Sequence, residues 1–433
     1  MKEFAQLNKR SVFEGIFAQT LTKEQKAEAL RAINLIKEKR CGMIKGRTIA
    51  DGRGQRDRYE RHDVSSPTVS NEGLMMSLVI DTMEGREVAT VDMPGAYLHA
   101  DMDDFTVLKL TRVMVDIFCE MNSNYKQYVT IENSKKVLYL KLLKARYGCI
   151  RSAMLWYNLF VSVLKDDGFT VNPYDLCIAN KMVNGKQLTI SWYVDDLKMS
   201  HMEKQGLERL VKKIEKRFGD IKPVFGKEHD YLGMGIKFLK NEQSFEINMS
   251  SHIKEAIEIF GRVFNEDVSK PVGTPAGRGL FELDKQSPLL STDKANTFHK
   301  IVAKLLFVSR RCRLDIILTI AFLCTRVSIP TVQDRIKLKR LLRYLNATID
   351  EVLVLGAESL TFVDGYIDIS YAVHDDRKSH TGGCVSLGRG VLLPRSEKQK
   401  LNTKSTTESE VVGCSDMTPD SIWARNFFET PRL

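Results

Sequence analysis

Two adjacent aspartates interrupt a stretch of sequence that otherwise predicts a pair of buried strands. In SWYVDDLKMSH, which covers residues 191–201, apolar residues alternate with more polar ones on both sides of Asp195 and Asp196, and this is the pattern of half-buried strands. The tip has no glycine, although tight two-residue turns favour one. Neighbouring carboxylates also repel each other unless a cation lies between them. The stretch therefore raises the hypothesis that a hairpin tip holds a metal ion.

A third acid, Asp92, lies earlier in the chain, at the end of a segment with strand character that Pro94-Gly95 terminates. If the two strands meet in one sheet, Asp92 comes to lie beside Asp195 and Asp196. Three carboxylates around one cleft can hold two Mg²⁺ ions, or Mn²⁺ in their place, and this arrangement serves in-line phosphoryl transfer. The alternative is that the three are ordinary surface acids, which their apolar strand contexts disfavour.

The chain has 433 residues, more than one hydrophobic core usually holds, so we expect two or three domains. Apolar residues make up 43% and charged residues 28%, as is typical of globular proteins. The net charge of +10 favours a polyanionic partner. A single basic run is more often a solvated helix face, but several runs beside paired acids favour nucleic acid. These runs cover residues 45–61, 141–151, 204–217, 310–313 and 335–343.

The cellular compartment can be inferred from the membrane and secretion signals that the sequence lacks. No apolar run is long enough to span a bilayer, and residues 1–12 have no signal-peptide pattern. The eight cysteines show neither a CxxC pair nor zinc spacing, which favours small core residues in a reducing compartment. We therefore expect a cytosolic or nuclear protein without a membrane partner. The sequence does not predict its oligomeric state.

Hydrophobic periodicity and turn residues predict the order of the elements. A stretch rich in Pro and Gly, residues 266–290, predicts a linker. After it, we expect one helix that begins near Ser291 or Thr292 and another that begins after Pro330. From residue 351 the pattern is β-rich. Further helices are predicted over residues 22–39, 150–164 and 203–218, and short strands over 231–238 and 244–248.

Several motifs resemble those of reverse transcriptases of the Ty1/copia retrotransposon type, in that family's order and spacing. YVDD at 193–196, preceded by DMPGAYL at 92–98, resembles the family's palm. YVDD alone is a weak signal, whereas YVDD together with six further motifs in order is specific, and the resemblance covers nearly the whole chain. The other segments are KGRTIADGRGQ at 45–55, SPTV at 66–69, ARYGCIRSAMLWY at 145–157, YLGMGI at 231–236 and PVGTP at 271–275.

The resemblance implies an α+β fold: a right-hand polymerase with fingers, palm and thumb in residues 1–265. A linker and helical connection segment would follow in residues 266–350, and a partial RNase H-like α/β domain in residues 351–433. The implied function is RNA-directed DNA synthesis, in which a primer is extended on an RNA or DNA template from deoxynucleoside triphosphates. The chain would be a fragment of a retrotransposon polyprotein, located in cytoplasmic virus-like particles or in the nucleus.

The resemblance also carries roles onto individual residues. Asp92, Asp195 and Asp196 match the metal ligands of the polymerase. Tyr97 matches the aromatic residue that closes against a ribose 2′-hydroxyl, and a ring under C2′ would exclude that hydroxyl sterically. The alternative for Tyr97 is a plain core tyrosine.

A second group of residues matches positions that contact the nucleotide or the template-primer. For each of them the alternative is an exposed loop charge or a packing residue. Within 145–157 the family's Lys-Gln-Ala-Pro-Arg reads Ile-Arg-Ser-Ala-Met, so the cation has moved by one place. The matches are Lys45 and Arg47 for the incoming triphosphate, Tyr147 and Gly148 beneath the nascent base pair, Arg151 for a phosphate, and Leu232 and Gly233 for the primer end.

Downstream, GYIDISYAVHDDRKSHTGG at 365–383 and STTESEVVG at 405–413 resemble the RNase H domain that follows these polymerases. That domain cuts the RNA strand of a hybrid with two Mg²⁺ ions. Asp368 matches its first acid and Glu410 its second. Its third aspartate would lie past the end of this sequence, and Asp416 and Asp420 fall too early to replace it. We therefore expect a truncated domain with little or no RNase H activity.

A rival function of another class remains open at this point. A catalytically inactive transposon relic that only binds nucleic acid would carry the same basic runs. A phosphotransferase of another fold would need a Gly-rich phosphate loop such as GxxxxGK[ST], and the sequence has none. Metal-dependent primer extension separates the polymerase from the relic.

Overall fold

The structure is a computed structural model that describes residue 7, residues 10–38 and residues 44–429. Within this part of the chain the strands form four sheets, whose pairs are antiparallel except for one. Helices cover the sheets or lie between them. This mixture of antiparallel sheet and helix confirms the α+β prediction. None of the described helices is long and apolar enough to cross a membrane.

Residues 10–142 supply the first set of elements. Their strands are β1 (Phe13–Ile16), β2 (Leu30–Glu38), β3 (Ile44–Ala50), β4 (Glu87–Asp92), β5 (Val107–Thr111), β6 (Thr130–Glu132) and β7 (Lys135–Leu142). Their helices are α1 (Lys23–Glu28), α2 (Arg61–Val64), α3 (Asn71–Met83) and α4 (Val113–Met121). Short 3₁₀ turns lie at Ala18–Thr20, Gly52–Arg58, Ala96–His99 and Ser123–Tyr128.

Residues 152–248 supply two helices and eight strands. The helices are α5 (Ser152–Asp166) and α6 (Lys204–Phe218), close to the predicted positions. The strands are β8 (Thr170–Asn172), β9 (Asp175–Val183), β10 (Lys186–Tyr193), β11 (Asp196–His201), β12 (Lys222–Phe225), β13 (Glu228–Tyr231), β14 (Met234–Leu239) and β15 (Ser244–Asn248).

Residues 250–429 supply the remaining elements. The helices are α7 (Ser250–Phe264), α8 (Thr292–Ser309), α9 (Ile317–Cys324), α10 (Val332–Ala347) and α11 (Thr406–Glu429). The strands are β16 (Leu353–Ala357), β17 (Asp364–Ser370), β18 (His380–Ser386), β19 (Gly388–Arg389) and β20 (Val391–Lys398). The predicted helices after Ser291 and Pro330 are confirmed, and Thr331 caps α10 in a capping box with Asp334.

The first sheet has the order β1-β7-β5-β2-β3, with β6 beside β7. Its apolar face packs with α4 in a cluster that includes Leu108, Leu138, Leu140 and Phe118. This cluster is distinct from the main core of the molecule. The first sheet is therefore the centre of a separate N-terminal subdomain.

The helix predicted over residues 22–39 is wrong beyond Glu28. Thr22 begins α1 with a capping box, but Ala29 has a ψ of 125°, which ends the helix. From Leu30 the chain is strand β2, which pairs with β3 and, at Leu30, with Leu108 of β5. Cross-strand pairing and the burial of Leu30, which is 5% exposed, outweigh the helix propensity of these residues.

The second sheet has the order β12-β4-β11-β10-β9-β8 and is antiparallel throughout. Helix α3, which the sequence did not predict, contacts β15, β16 and β20, and its Ser77 accepts a hydrogen bond from Lys198 of β11. Nearly all residues of α3 are buried. A helix that is buried all round has no polar face, so it lacks the one-sided period that identifies helices in a sequence.

The third sheet has the order β13-β14-β15-β16-β19 and crosses the predicted boundary at residue 350. Val354 and Leu355 of β16 pair with Glu246 and Phe245 of β15. The fourth sheet, β17-β18-β20, packs against α11. The C-terminal segment thus shares a sheet with the polymerase-like part, while residues 266–290 of the described chain contain neither helix nor strand. The three-domain division itself stays a prediction.

Candidate active site

The structure brings Asp92, Asp195 and Asp196 together at one end of the second sheet. Asp92 ends β4 and lies directly opposite Asp196, the first residue of β11. Residues that face each other in an antiparallel pair project from the same face of the sheet. Asp195 precedes Asp196 in the turn that joins β10 to β11. Acids that are distant in sequence are therefore neighbours in space.

The turn that carries Asp195 is strained. Tyr193 pairs with Asp196, which leaves Val194 and Asp195 as a two-residue turn. Val194 has a φ of 58°, a left-handed conformation that a β-branched residue rarely adopts and that costs about 1–2 kcal/mol. The absence of a glycine from this turn therefore lowers the stability of the fold. Backbone strain of this kind is concentrated at functional sites.

Three different elements hold the backbone of the turn. Trp156 of α5 donates its indole Nε1–H to the Val194 carbonyl at 2.7 Å. The amide of Met93 donates to the Asp195 carbonyl at 2.8 Å, and the Tyr231 hydroxyl donates to the Asp196 carbonyl at 3.2 Å. These anchors fix the position of the acids although the turn is strained.

Sequence reasoning did not assign Trp156 and Tyr231 a role at the site. Both lie inside quoted motifs, Trp156 at the end of ARYGCIRSAMLWY and Tyr231 at the start of YLGMGI. Both are buried, with 1% and 3% exposure. A buried indole N–H or phenol O–H needs a hydrogen-bond acceptor. The presence of these two residues in the motifs could therefore have indicated a buried hydrogen bond, but the sequence does not show which carbonyl accepts it.

The electrostatics of the acid cluster favour a bound cation. Burial, Asp195 and Asp92 together raise the pKa of Asp196 to about 6. The two neighbouring carboxylates thus oppose the ionisation of Asp196, and a divalent cation between them would remove this opposition. Carboxylate oxygens are also the hard donors that Mg²⁺ and Mn²⁺ prefer. The donor set therefore fits such an ion.

As they stand, the side chains of the described residues include no group of three or more His, Cys, Asp or Glu in a metal-binding arrangement. One acid has a different partner: the Tyr147 hydroxyl donates a hydrogen bond to Asp195 Oδ2 at 2.9 Å.

Tyr97 and Tyr147 form an aromatic pair beside the acids. Their ring centroids lie 4.4 Å apart. Burial, followed by the negative charge of Asp195 and the nearby Tyr193 hydroxyl, raises the pKa of Tyr97. Tyr97 follows the left-handed Gly95, which has a φ of 69° and begins the 3₁₀ turn after β4. The structure therefore places Tyr97 next to the acid cluster and not in a remote part of the core.

Gly148 lies in the segment between β7 and α5, against the end of β3. It has a φ of 97°, and a Cβ added to it would overlap the carbonyl oxygen of Ala50 at the end of β3. The adjacent Tyr147 carbonyl accepts a hydrogen bond from the Ala50 amide at 3.0 Å. Gln55, from the predicted fingers segment, accepts a hydrogen bond from the Ile150 amide at 3.1 Å. Gly148 thus makes a close packing contact that only glycine permits.

Arg151 is engaged by protein groups in the structure. Its guanidinium forms an ion pair with Asp103 at 2.7 Å and lies over the ring of Tyr59 at 5.3 Å. Lys45 and Arg47 are part of β3, but their side chains lie outside the described part of the structure. The roles assigned to these three cations stay predictions.

Leu232 and Gly233 form a second two-residue turn, between β13 and β14, where Tyr231 pairs with Met234. Both have positive φ angles, 49° and 77°, as type I′ hairpins require. Because Tyr231 also reaches the Asp196 carbonyl, this hairpin is attached directly to the acid turn.

The RNase H-like acids lie on different elements and different faces. Gly365, Ile367 and Ile369 of β17 face α11, since Gly365 lies against Ser421 and both isoleucines lie against Gly413. Successive side chains of a strand point to opposite faces, so Asp368 faces away from α11. Glu410 is an exposed residue of α11. The structure does not bring Asp368 and Glu410 to one side of the sheet.

Comparison with known proteins agrees with this architecture. Residues 19–274 match the family model described as reverse transcriptase (RNA-dependent DNA polymerase). The Gag-Pol polyproteins of transposons Ty1-BR and Ty1-GR3 of Saccharomyces cerevisiae are each 24% identical over 409 residues. Each alignment covers 90% of this chain and 22% of the polyprotein, so the chain spans about a fifth of the length of these relatives.

A solved structure shares the fold at low sequence identity. It is titled as the foamy viral protease-reverse transcriptase dRH in complex with double-stranded DNA, and it superposes with a TM-score of 0.51 at 12% identity. The match covers 97% of this chain and 59% of that one, which shows the fold of a reverse transcriptase. Because the family model covers more than half of the sequence, the chain belongs to the reverse transcriptase (RNA-dependent DNA polymerase) family.

Proposed function

We propose that this chain is an RNA-directed DNA polymerase that extends a primer on an RNA or DNA template from deoxynucleoside triphosphates. The observation that carries the proposal is the opposition of Asp92 and Asp196 across β4 and β11, with Asp195 on a strained turn beside them. A strained, triply anchored acid cluster has no stabilising value of its own, because its carboxylates repel each other. Its geometry is explained if it serves a bound cation and a reacting phosphate.

Asp92, Asp195 and Asp196 would hold the divalent ions, Mg²⁺ or Mn²⁺. Such ions lower the pKa of an attacking 3′-hydroxyl and stabilise the departing pyrophosphate. The chain's own groups hold the acids in place: Trp156, Met93 and Tyr231 fix the three turn carbonyls. The hydrogen bond from Tyr147 occupies one lone pair of Asp195 Oδ2, so the Asp195 carboxylate keeps lone pairs that could bind a cation.

The other predicted contacts are part of the same proposal. Tyr97 would exclude a ribose 2′-hydroxyl, and its contact with the Tyr147 ring supports this role because the contact restricts the ring next to the acids. Lys45 and Arg47 would bind the triphosphate, and Leu232-Gly233 the primer end. Arg151 would reach a phosphate only after release from Asp103. The DNA bound by the foamy viral structure supports a template-primer as the partner.

Primer extension on poly-rA/oligo-dT with Mg²⁺ and with Mn²⁺ tests the proposal. We expect extension by the wild-type chain that is abolished in Asp195→Asn, while binding of the template-primer persists. A control variant, Asp368→Asn, should leave extension unchanged because Asp368 lies in the fourth sheet, away from the acid cluster. Binding without extension in the wild-type chain would favour the inactive relic instead.

We further propose that residues 351–433 have little or no RNase H activity. The proposal is supported by the placement of Asp368 and Glu410 on opposite sides of β17, since both acids must face one scissile phosphate to share its metal ions. Release of labelled fragments from an RNA–DNA hybrid, lost in Asp368→Asn, would contradict it. The location of the chain in virus-like particles or the nucleus likewise stays a prediction.

A further inference from the structure

The basic run at residues 310–313, which follows α8, contains arginines in three different environments. Arg313 is 3% exposed, and its guanidinium binds Asp315 at 3.0 and 2.7 Å and the Thr348 carbonyl at 2.7 Å. Arg313 therefore has a structural role, since it joins these two parts of the chain. Arg310 is exposed to solvent. Arg311 is half-buried. It is neither held by protein hydrogen bonds as Arg313 is nor exposed to solvent as Arg310 is.

On one side, Arg311 is linked through the Phe307 ring to the hairpin that carries Leu232 and Gly233. Its guanidinium carbon is 3.9 Å from the ring centroid of Phe307, and that ring stacks on His252 with centroids 5.6 Å apart. A Cβ added to Gly233 would lie 3.1 Å from His252 Cε1 and 3.8 Å from Phe307 Cε1. Arg311, Phe307 and His252 thus form a layer directly next to Gly233.

On the other side, the arginine run is attached to the strand that leads into the acid turn. Asn71 donates its side-chain amide to the Arg310 carbonyl at 3.2 Å. Two residues before it, the Val69 amide donates to the carbonyl of Trp192 at 3.1 Å, and Trp192 immediately precedes Tyr193. Burial lowers the pKa of Arg311, whereas the nearby Glu72 and Tyr193 raise it, which agrees with a position beside Tyr193.

Within the described part of the chain, Glu72 acts on the charge of Arg311 without forming an ion pair with it. Among the described residues no carboxylate lies within 4.0 Å of its guanidinium, and its one hydrogen bond is a long contact, 3.4 Å, to the Phe307 carbonyl. Contact with the Phe307 ring holds the guanidinium flat but leaves most of its five donors unused. A partly desolvated cation with free, planar donors is suited to a phosphate.

We propose that Arg311 is a positioning residue that binds a phosphodiester of the primer strand between the acid cluster and the Leu232-Gly233 hairpin. The inference rests on the proposed function, because a primer end held at the three acids and gripped at the hairpin would run close to Arg311, which is linked to the hairpin through Phe307 and to the acid-bearing strand through Asn71 and Val69. The contact would orient the 3′-hydroxyl and would not touch the incoming triphosphate. The competing explanation is a purely structural contact between a cation and an aromatic ring.

Binding of a fluorescein-labelled oligo-dT on poly-rA, measured by anisotropy over a range of salt concentrations, separates the two explanations. For Arg311→Gln we expect affinity to fall about tenfold and the slope of log affinity against log salt to lose about 0.9, which corresponds to one phosphate contact. Arg311→Lys should keep the slope. Arg310→Gln is the matched control, one residue away and exposed, and should keep both affinity and slope.

In steady-state extension, Arg311→Gln should raise the KM for template-primer and leave the KM for deoxynucleotide within about twofold.

The inference is overturned if folded Arg311→Gln matches the wild-type chain in affinity and salt slope. If circular dichroism shows that this variant is unfolded, phenylglyoxal modification of the wild-type chain decides. Template-primer should slow modification of Arg311 several-fold more than that of Arg310, and equal rates with and without template-primer would refute the contact.

A wild-type chain that neither binds nor extends would instead refute the proposed function. A wild-type chain that extends, with no defect in Arg311→Gln, refutes this inference alone.

Discussion

Two residues at the acid turn lower the stability of the fold, at a position where the proposed reaction needs them. Val194 adopts a φ of 58° where glycine would be unstrained, and the half-buried Asp196 is close to two other carboxylates. Both features oppose folding, and the carbonyl anchors from Trp156, Met93 and Tyr231 offset them. Removing a repelling charge and removing an anchor should therefore change stability in opposite directions.

Replacement of Asp196 by Asn should stabilise the metal-free protein near neutral pH. The pKa of Asp196 is about 6 in the folded state, against 3.8 for the ordinary group. A raised carboxyl pKa contributes stability that is full below about pH 4 and is lost as the pH rises through 6. We expect Asp196→Asn to raise the free energy of unfolding at pH 7.5 by about 1–2 kcal/mol, allowing for partial exposure.

Urea unfolding in EDTA at pH 7.5 and at pH 4 measures this effect. The difference between Asp196→Asn and the wild-type chain should shrink at pH 4, where both side chains are neutral. The exposed Asp368→Asn should change stability by less than about 0.5 kcal/mol at either pH. Lower stability of Asp196→Asn at pH 7.5 would show that the carboxylate makes a favourable contact that the structure does not contain.

Replacement of Tyr231 by Phe should affect both stability and turnover. It removes one hydroxyl, which donates to the Asp196 carbonyl, and should cost about 1 kcal/mol. Because the turn loses one of three anchors, kcat for primer extension should fall. Tyr157→Phe is the matched control: it removes a hydroxyl that donates to the Leu176 carbonyl at 3.2 Å and should leave kcat unchanged. Equal kcat values for the two variants would argue against the anchoring role of Tyr231.

At the scale of elements, the junction between the β7–α5 segment and the end of β3 depends on a close backbone approach. Gly148 packs against the Ala50 carbonyl, while Gln55 binds the Ile150 amide. The sequence suggested these segments by their resemblance to fingers and palm motifs, but it did not show that they touch. The contact joins residues that are far apart in the chain, so no local pattern encodes it.

Replacement of Gly148 by Ala should weaken this junction. The added methyl group would overlap the Ala50 carbonyl and require a φ of 97° from a residue with a Cβ, so we expect a loss of more than about 2 kcal/mol. Gly54→Ala in the same region is the control, since nothing lies within 4 Å of its added Cβ. Thermal unfolding compares the two variants. Similar melting temperatures would mean that the chain relaxes around residue 148 at little cost.

At the scale of the whole molecule, the C-terminal helix is part of the core that supports the acid-bearing sheet. Ala424, Phe427 and Phe428 of α11 belong to the main hydrophobic cluster, and Phe427 lines a small cavity with Ile80 and Ile178. Trp423 donates its indole N–H to the Tyr174 carbonyl at 3.1 Å. With β16 and β19 also paired into the third sheet, residues beyond 350 should unfold together with the second sheet.

Replacement of Phe427 by Ala tests this cooperation. Phe427 is 1% exposed, so its truncation should cost about 3–5 kcal/mol. Urea unfolding followed by tryptophan fluorescence, which reports on Trp156 and Trp192 as well as Trp423, should shift as a single transition. Val411→Ala, at an α11 position that is 64% exposed, should have little effect. Two separate transitions, with that of the second sheet unshifted, would show that α11 folds independently.

The sequence by itself determined the elements whose signals are local. Alternation around YVDD predicted the β10–β11 hairpin, one-sided apolar faces predicted α5 and α6, and the Pro- and Gly-rich stretch 266–290 predicted the segment without regular structure. The residue types of the candidate site, three aspartates and two tyrosines, were also readable from the sequence. These features depend on side-chain chemistry and on short-range periodicity, which a chain carries before it folds.

Only the tertiary structure decided which of these parts meet. It turned residues 30–38 into a strand, because β3 and β5 supplied partners, and it buried nearly all of α3 against strands of the second, third and fourth sheets. It also set Asp92 opposite Asp196, attached Tyr231 to the acid turn and stacked Arg311 on Phe307, a ring that lies beside Gly233. Pairing, burial and desolvation are properties of distant residues in contact, so no window of sequence contains them.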